Sequence, residues 1–327
     1  MSGPWAGRRV FVTGATGIVG SWLVKALLDD GADVAALVLD ADPQSELYRS
    51  GDVDRVSVVN GALEDFRALE RGIAGQDVDS VFHLGAQAIV ETAHRAPFGT
   101  IETNIRGTYN LLEVCRLHAD RVRRVVVASS DKAYGETADL PYTETAPLDG
   151  RHPYEVSKSC ADLLARSYHH AYGLPVGIAR CGNVYGGGDL HWDRIVPGTI
   201  RSLARGDRPI IRSDGTYVRD YLYVKDCVAG YLTLGTALDR PELGGEAFNF
   251  STESWVTVRE IVAAVQKVMG RTDLDPVIQN AARGEIRSQS LSSRKARERL
   301  GWSAAFDLER GLAETVAWYE RFLERPR

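Results

Sequence analysis

Short, almost unbroken apolar runs alternate along the first half of this chain with longer segments in which apolar residues return every three or four positions. "RRVFVTG" (8–14) predicts a buried strand, and "IVGSWLVKALLDDG" (18–31) predicts a helix stopped by Gly31. Further strands are expected at "DVAALVLD" (33–40), "RVSVVNG" (55–61), "DSVFHLGA" (79–86) and "RRVVVASS" (123–130), with a helix over about 98–118 between the last two. "YEVSKSCADLLARSYHHAYG" (154–173) has helical spacing, and "PVGIARCGNVYG" (175–186) begins as a strand. Strands apolar on both faces and separated by helices imply a parallel sheet covered on both sides.

After about residue 180 the pattern loosens. Gly186-Gly187-Gly188 suggests a flexible or ligand-approaching loop, "AFNFS" (247–251) one more strand, and 257–269 and 308–324 two further helices. The 327 residues exceed what one compact core usually holds. The expected fold is therefore α/β: a Rossmann-like doubly wound parallel sheet with a smaller C-terminal substrate-binding lobe. Residues 1–180 would form the cofactor-binding domain, with 219–250 returning to it; 181–218 and 251–327 would form the lobe. The cleft between them is the expected ligand site.

Composition narrows the class. Hydrophobic residues make up 44% and charged residues 25%, as in soluble globular proteins, and the net charge is −5. That balance gives no broad positive field for nucleic acid. No apolar stretch approaches the length of a membrane span or a signal peptide. Cys115, Cys160, Cys181 and Cys227 lie far apart without a CxxC pair, which fits buried thiols in a reducing cytoplasm rather than a disulfide frame or a zinc site.

Two stretches carry candidate chemistry. "VTGATGIVG" sets Gly14, Gly17 and Gly20 between the first strand and the first helix, where small residues allow a tight turn and bring a pyrophosphate to the helix N-terminus. Asp40, 20 residues after Gly20, is suited to accept from ribose hydroxyls, which favours NAD over NADP. "HPYEVSK" (152–158) sets Tyr154 and Lys158 on one helical face, where an ammonium would lower the phenol pKa toward working pH. Ser129, Ser130, Asp131 and Lys132 end a predicted strand, at the edge where open α/β sheets do their chemistry.

In that context the chain resembles the extended short-chain dehydrogenase/reductases, in the NAD-dependent nucleotide-sugar epimerase/dehydratase group. The likeness rests on "TGATGIVG" (13–20), "HLGAQ" (83–87), "SSDKAYG" (129–135), "YEVSK" (154–158), "RCGNVYGGGD" (180–189) and "RSDGTYVRDYLYVKD" (212–226), and is strongest to the CDP-glucose 4,6-dehydratase type. The resemblance implies NAD held by Gly14, Thr16, Gly17, Ile18, Asp40, Leu84 and Ala86 together with Tyr154 and Lys158. It implies Tyr154 as the base on a sugar hydroxyl, Lys158 on the nicotinamide ribose, Ser129 or Ser130 on the reacting oxygen, and Asp131 with Lys132 expelling water. Gln87, Tyr134, Asn183, Arg194, Arg212 and Arg219 would hold a CDP- or GDP-linked sugar, the arginines through forked bonds to diphosphate. A cytoplasmic homodimer, paired through the helices at 98–118 and 154–173, is also implied.

Two positions depart from the family pattern. Ala62 stands where an Asp usually holds the adenine amino group, with Glu64 or Asp65 as shifted substitutes, and Gly85 stands where Ala is commoner. Ala62 keeps open a non-redox isomerase: an epimerase, or a GDP-sugar pyranose–furanose mutase with a divalent metal bridging the substrate diphosphate. No protein metal site is expected, since Asp131, His83 and Glu136 lack ligand spacing. A catalytically silent nucleotide-binding regulator is the remaining alternative. His169 and His170 are expected on a helix surface or in packing, His83 in packing with a cofactor contact as its alternative, and Trp192 either stacks on a nucleotide base or braces its loop.

Overall fold

The computed structural model describes residues 3–281 and 286–324. Strands β1 (Arg9–Thr13), β2 (Asp33–Val38), β3 (Ser57–Asn60), β4 (Ser80–His83), β5 (Arg124–Ala128), β6 (Val176–Cys181), β7 (Asn183–Tyr185), β8 (Ile210–Ile211), β9 (Val218–Tyr223), β10 (Ala247–Phe250), β11 (Trp255–Thr257) and β12 (Val277–Ile278) follow in chain order. Seven of them form one parallel sheet in the order β10-β6-β5-β4-β1-β2-β3. This is the doubly wound arrangement expected, and the order reverses beside β1, where such sheets bind ligands.

Alternation within each strand builds two cores at once. Val10 and Val12 of β1 join one apolar cluster with Leu23, Val24 and Leu27 of the Ile18–Asp29 helix and Leu234 of the Val224–Ala237 helix. Phe11 joins the other cluster, with Leu69, Ile73, Leu111 and Leu112 from the helices Phe66–Ile73 and Gly107–Leu117. Both faces of the sheet are thus covered, which is why its strands read as continuous apolar runs. No helix of the described residues is long and apolar enough to cross a membrane.

The smaller lobe holds the sheet β11-β9-β7 and the pair β12-β8, packed with the helices Ile195–Ala204, Val258–Val268 and Leu308–Glu324 around Tyr185, Ile200, Ile261, Leu312 and Tyr319. Three details differ from the sequence expectation. β9, assigned to the returning segment, pairs instead with β7 and β11, so the return to the large sheet begins with the helix at Val224. The helix expected over 98–118 runs as Pro97–Ile101, a π turn over Glu102–Arg106, and Gly107–Leu117. The glycine triplet is packed, not open: a Cβ on Gly187 would lie 2.3 Å from Trp318 Cγ, and the Gly187 carbonyl accepts from Trp22 Nε1 at 2.8 Å.

The helix Pro153–Tyr172 starts at Pro153, a residue pre-set for a first turn, and Glu155 accepts the backbone N–H of His152 (3.2 Å) and of Arg151 (2.8 Å). It is bound to β6 by Asp162 and Arg180, whose side chains are 0% and 1% exposed and meet through two bonds of 2.7 and 2.8 Å. Asp162→Ala would leave a buried guanidinium unpaired, an expected loss of about 3–5 kcal/mol. The paired apolar replacement Asp162→Leu with Arg180→Met should cost clearly less in the same urea unfolding experiment; equal costs would show that the charges are not what binds helix to strand.

Candidate active site

The phosphate loop is built by close backbone approach. Gly14 has φ +72, and a Cβ there would lie 2.7 Å from Gly85 N. A Cβ on Gly20 would lie 2.0 Å from Gly14 O, so no larger residue fits without moving the turn. Gly17 begins the helix and offers no side-chain cap, which leaves the first N–H groups to meet an anion. Thr16 and Ile18 are half-buried beside it, and Asp40 is exposed beyond β2. This cradle fits a dinucleotide pyrophosphate. The adenine side fits less well: Ala62 brings no acceptor, Asp65 caps the helix Phe66–Ile73 through the N–H of Arg67 and Ala68, and Glu64 accepts from Thr103 Oγ1. Each acid is thus engaged through one carboxylate oxygen, Asp65 by its own helix and Glu64 by Thr103.

Leu84, Ala86 and Gln87 leave the carboxyl end of β4, half-buried next to that loop. The Gln87 backbone is clamped by Asn104, whose Oδ1 accepts from Gln87 N (2.7 Å) and whose Nδ2 donates to Gln87 O (3.0 Å). Asn104 also donates to Ser157 Oγ at 2.9 Å, and Ser157 Oγ donates to the Tyr154 carbonyl at 2.7 Å. The sequence reading missed Asn104; its signal was a polar residue on the apolar face of a predicted helix.

Beyond β5, Ser129 and Ser130 are both 7% exposed and Asp131 is 1% exposed. Ser130 Oγ donates to Asp131 Oδ1 (3.0 Å) and accepts from Lys132 N (3.2 Å), close enough to the Tyr154 phenol to influence its titration. Lys132 Nζ donates to Asn183 Oδ1 (3.0 Å) and lies 3.5 Å from Asp131. Ser129 Oγ, Asp131 Oδ2 and Gln87 Oε1 are buried and find no partner among the described residues. These unpartnered polar atoms belong to residues that follow the neighbouring strands β4 and β5 at the carboxyl edge of the sheet, where open α/β sheets bind ligands.

Burial governs the titrating groups. It pushes the Tyr154 phenol up to about 12; Asp131 adds to the rise, while Arg194 and Ser130 oppose it. Lys158, expected to do the lowering, donates instead to the Ala128 carbonyl at 3.0 Å, and burial brings its own pKa down to about 8. In the protein alone, desolvation outweighs the expected ammonium effect.

Four residues expected to hold substrate have commitments inside the protein. Tyr134 is 2% exposed, stacks on Tyr142, and its hydroxyl donates to Asn249 Oδ1 (2.7 Å) while accepting from Arg180 Nη1 (2.8 Å). It braces the site from within rather than lining a sugar pocket. Arg212 is half exposed and pairs with Asp193 at 2.5 Å. Arg219 is 7% exposed, its Nη1 donating to the carbonyls of Val218 (3.0 Å) and Arg287 (3.2 Å). Arg194 pairs with Asp189 at 3.1 Å, and its charge reaches Tyr154. His83 is buried, with both ring nitrogens hydrogen-bonded, and Trp192 is half-buried against Tyr319 and Phe322.

Residues 11–315 match the family model described as GDP-mannose 4,6 dehydratase. The chain belongs to that family. The GDP-mannose 4,6 dehydratase family includes relatives of several specificities. CDP-glucose 4,6-dehydratase of Salmonella typhimurium is 32% identical, over 98% of this chain and 92% of that protein. dTDP-glucose 4,6-dehydratase of Streptomyces griseus is 32% identical, over 96% and 94%. Among solved structures, dTDP-glucose 4,6-dehydratase from Streptomyces venezuelae, with NAD bound, superposes with TM-score 0.87 at 29% identity, covering 96% of this chain and 97% of that one. UDP-glucose 4-epimerase from Thermotoga maritima gives the same TM-score of 0.87 at 29% identity, covering 97% and 100%. The family expected from the motifs is the family found.

Gly20→Ala tests the cradle. It should weaken NAD binding by at least about tenfold in calorimetric titration, since the added Cβ displaces the Gly14 carbonyl from the turn that shapes the anion site. Unchanged affinity would mean that the loop does not hold the pyrophosphate.

Proposed function

We propose that this protein is an NAD-dependent nucleotide-hexose 4,6-dehydratase. The observation that carries the reading is the grouping of Tyr154, Ser130, Asp131 and Lys132 at the carboxyl edge of the sheet, with Ser129 Oγ, Asp131 Oδ2 and Gln87 Oε1 buried and unpartnered at the ends of the neighbouring strands β5 and β4. The 4,6-dehydratases among its relatives support the reaction type.

Gly14, Thr16, Gly17, Ile18 and Asp40 would hold the cofactor, with Leu84 and Ala86 against its rings. The chemistry that NAD supplies when bound is the uptake of a hydride from the sugar and its return to C6. Tyr154, having first given up its own proton to solvent once the cofactor's positive charge lies beside it, would take the proton of the C4 hydroxyl as a phenolate, and Ser130, next to that oxygen, would steady the reacting group with Ser129. Lys158, directed by the Ala128 carbonyl, stands one helical turn from Tyr154 to hold the nicotinamide ribose. Asp131 and Lys132 move the two protons of water loss, one off C5 and one onto the departing C6 hydroxyl. Their contact through Asp131 Oδ1 leaves Oδ2 toward the substrate. Arg194, Arg219 and Asn183 are the groups we assign to the nucleotide sugar. CDP-glucose is the first substrate to try, with dTDP-, UDP- and GDP-hexoses next.

The epimerase likeness favours a second reading, in which substrate and product have equal mass. The two separate in one assay. Incubation with each nucleotide sugar should yield a product lighter by one water, and Tyr154→Phe should lower kcat by at least about 100-fold with little change in KM. A product of unchanged mass selects the epimerase; full activity of Tyr154→Phe removes the tyrosine from the chemistry.

We also infer a homodimer. Phe98 (77% exposed), Ile101 (43%), Tyr109 (40%), Leu163 (53%) and Tyr172 (59%) set exposed apolar surface on the two packed long helices, an arrangement suited to a second copy of the same face. Light scattering should give twice the 35.8 kDa chain mass. Leu163→Glu should shift it toward the monomer without unfolding the chain.

A further inference from the structure

One unbroken chain of hydrogen bonds crosses the carboxyl edge of the sheet, from the phosphate loop to the helix that bears Tyr154. Gly85 N donates to Thr13 Oγ1 (3.0 Å), Thr13 Oγ1 meets His83 Nδ1 (2.8 Å), and His83 Nε2 meets Thr108 Oγ1 (3.0 Å). Thr108 Oγ1 donates to the Asn104 carbonyl (2.6 Å), and the Asn104 side chain reaches Gln87 and, through Ser157, the Tyr154 carbonyl. Thr13, His83, Thr108, Asn104 and Ser157 are each no more than 3% exposed.

The direction of every bond follows from the two ends. The Asn104 carbonyl can only accept, so Thr108 commits its single proton there and its oxygen must receive one from His83 Nε2. His83 Nδ1 is then a lone pair that takes the Thr13 proton, and the Thr13 oxygen accepts from Gly85 N. The opposite tautomer would leave the Thr13 hydroxyl proton without an acceptor in a buried site. Burial, helped by the charge of Lys158, holds the His83 pKa down at about 3, so the ring stays neutral.

We propose that His83, protonated on Nε2, is a positioning residue: through Thr108 and Asn104 it fixes the phosphate loop against the first turn of the Tyr154 helix. The same chain presents Gln87 on one side and Tyr154 on the other, so it sets where a bound dinucleotide meets the phenol. The kinetic half of its test rests on the dehydratase reading; the spectroscopic half does not.

In the wild-type protein labelled with ¹⁵N-histidine, His83 is assigned by the signal lost in His83→Gln. Its two ring nitrogens should show a neutral ring protonated on Nε2, unchanged between about pH 6 and 8. A proton on Nδ1, or titration in that range, overturns the proposal. Thr108→Val cuts the chain at nearly constant volume and should lower kcat at least about tenfold with KM within about twofold, while Thr108→Ser restores it. Wild-type kcat in Thr108→Val, or failure of Ser to restore it, also overturns the proposal. If the wild-type enzyme turns over no nucleotide sugar, the dehydratase reading has failed, and the ring-nitrogen signature alone decides whether the chain is as drawn.

Discussion

Arg180 and Asp162 are opposite charges with almost no access to solvent, and each is tolerable there only because the other is in place. Such a pair adds little net stability over well-packed apolar residues, but it permits one register. Asp162 lies on the helix that carries Tyr154, and Arg180 lies on β6 next to the small lobe. Arg180 extends the constraint by donating to Tyr134, which bonds Asn249 on β10. The helix, the turn after β5 and two strands are thereby fixed to one another, and the phenol inherits that precision without touching any of these groups.

The two polar systems near the phenol differ in a way that separates framework from site. From Thr13 to Tyr154 every buried donor has its acceptor. At the carboxyl ends of β4 and β5, Ser129 Oγ, Asp131 Oδ2 and Gln87 Oε1 have none among the described residues. Each such atom costs about 1–3 kcal/mol in the protein alone, a cost that a bound polar ligand would remove. Tyr154 itself is held in the neutral form by burial, with its pKa up at about 12, so it must lose its own proton, with the phenolate stabilised by what binds beside it, before it can take one from a sugar.

The sheet was legible because burial on both faces leaves continuous apolar strands, and the phosphate loop because Gly14, Gly17 and Gly20 stand where a strand passes into a helix. Tyr154 and Lys158 were legible because helical spacing joins them locally. What the residues could not reveal was non-local. Tyr134 follows the strand-end serines like a pocket residue, but Arg180 and Asn249, far off in sequence, hold its hydroxyl inside. β9 alternates like a strand of either sheet, and only its partners β7 and β11 decide which. The π turn at Glu102–Arg106 is invisible to a period of three or four, and Asn104 within it showed only as a polar residue on an apolar face. The direction of Lys158 depends on a carbonyl of β5, so spacing alone overstated its influence on the phenol.

Ala62 remains the one place where the family pattern and the redox reading pull apart, and magnitudes decide how much it matters. The missing side-chain acceptor forfeits one hydrogen bond to adenine, about 1 kcal/mol, or roughly a fivefold change in affinity. Asp65 and Glu64 stand three and two positions further along and are already engaged, one as a helix cap and the other with Thr103. The pyrophosphate end is untouched: Gly20 still packs against the Gly14 carbonyl, and the helix after Gly17 still opens without a cap. A dinucleotide is anchored by its charged centre more than by its base, because several aligned N–H groups act on the diphosphate at once. The hold on the cofactor therefore shifts toward the loop instead of disappearing, and the hydrogen-bonded chain from that loop to Tyr154 gains importance in proportion, since it carries the position of the anchored end to the residue that does the chemistry.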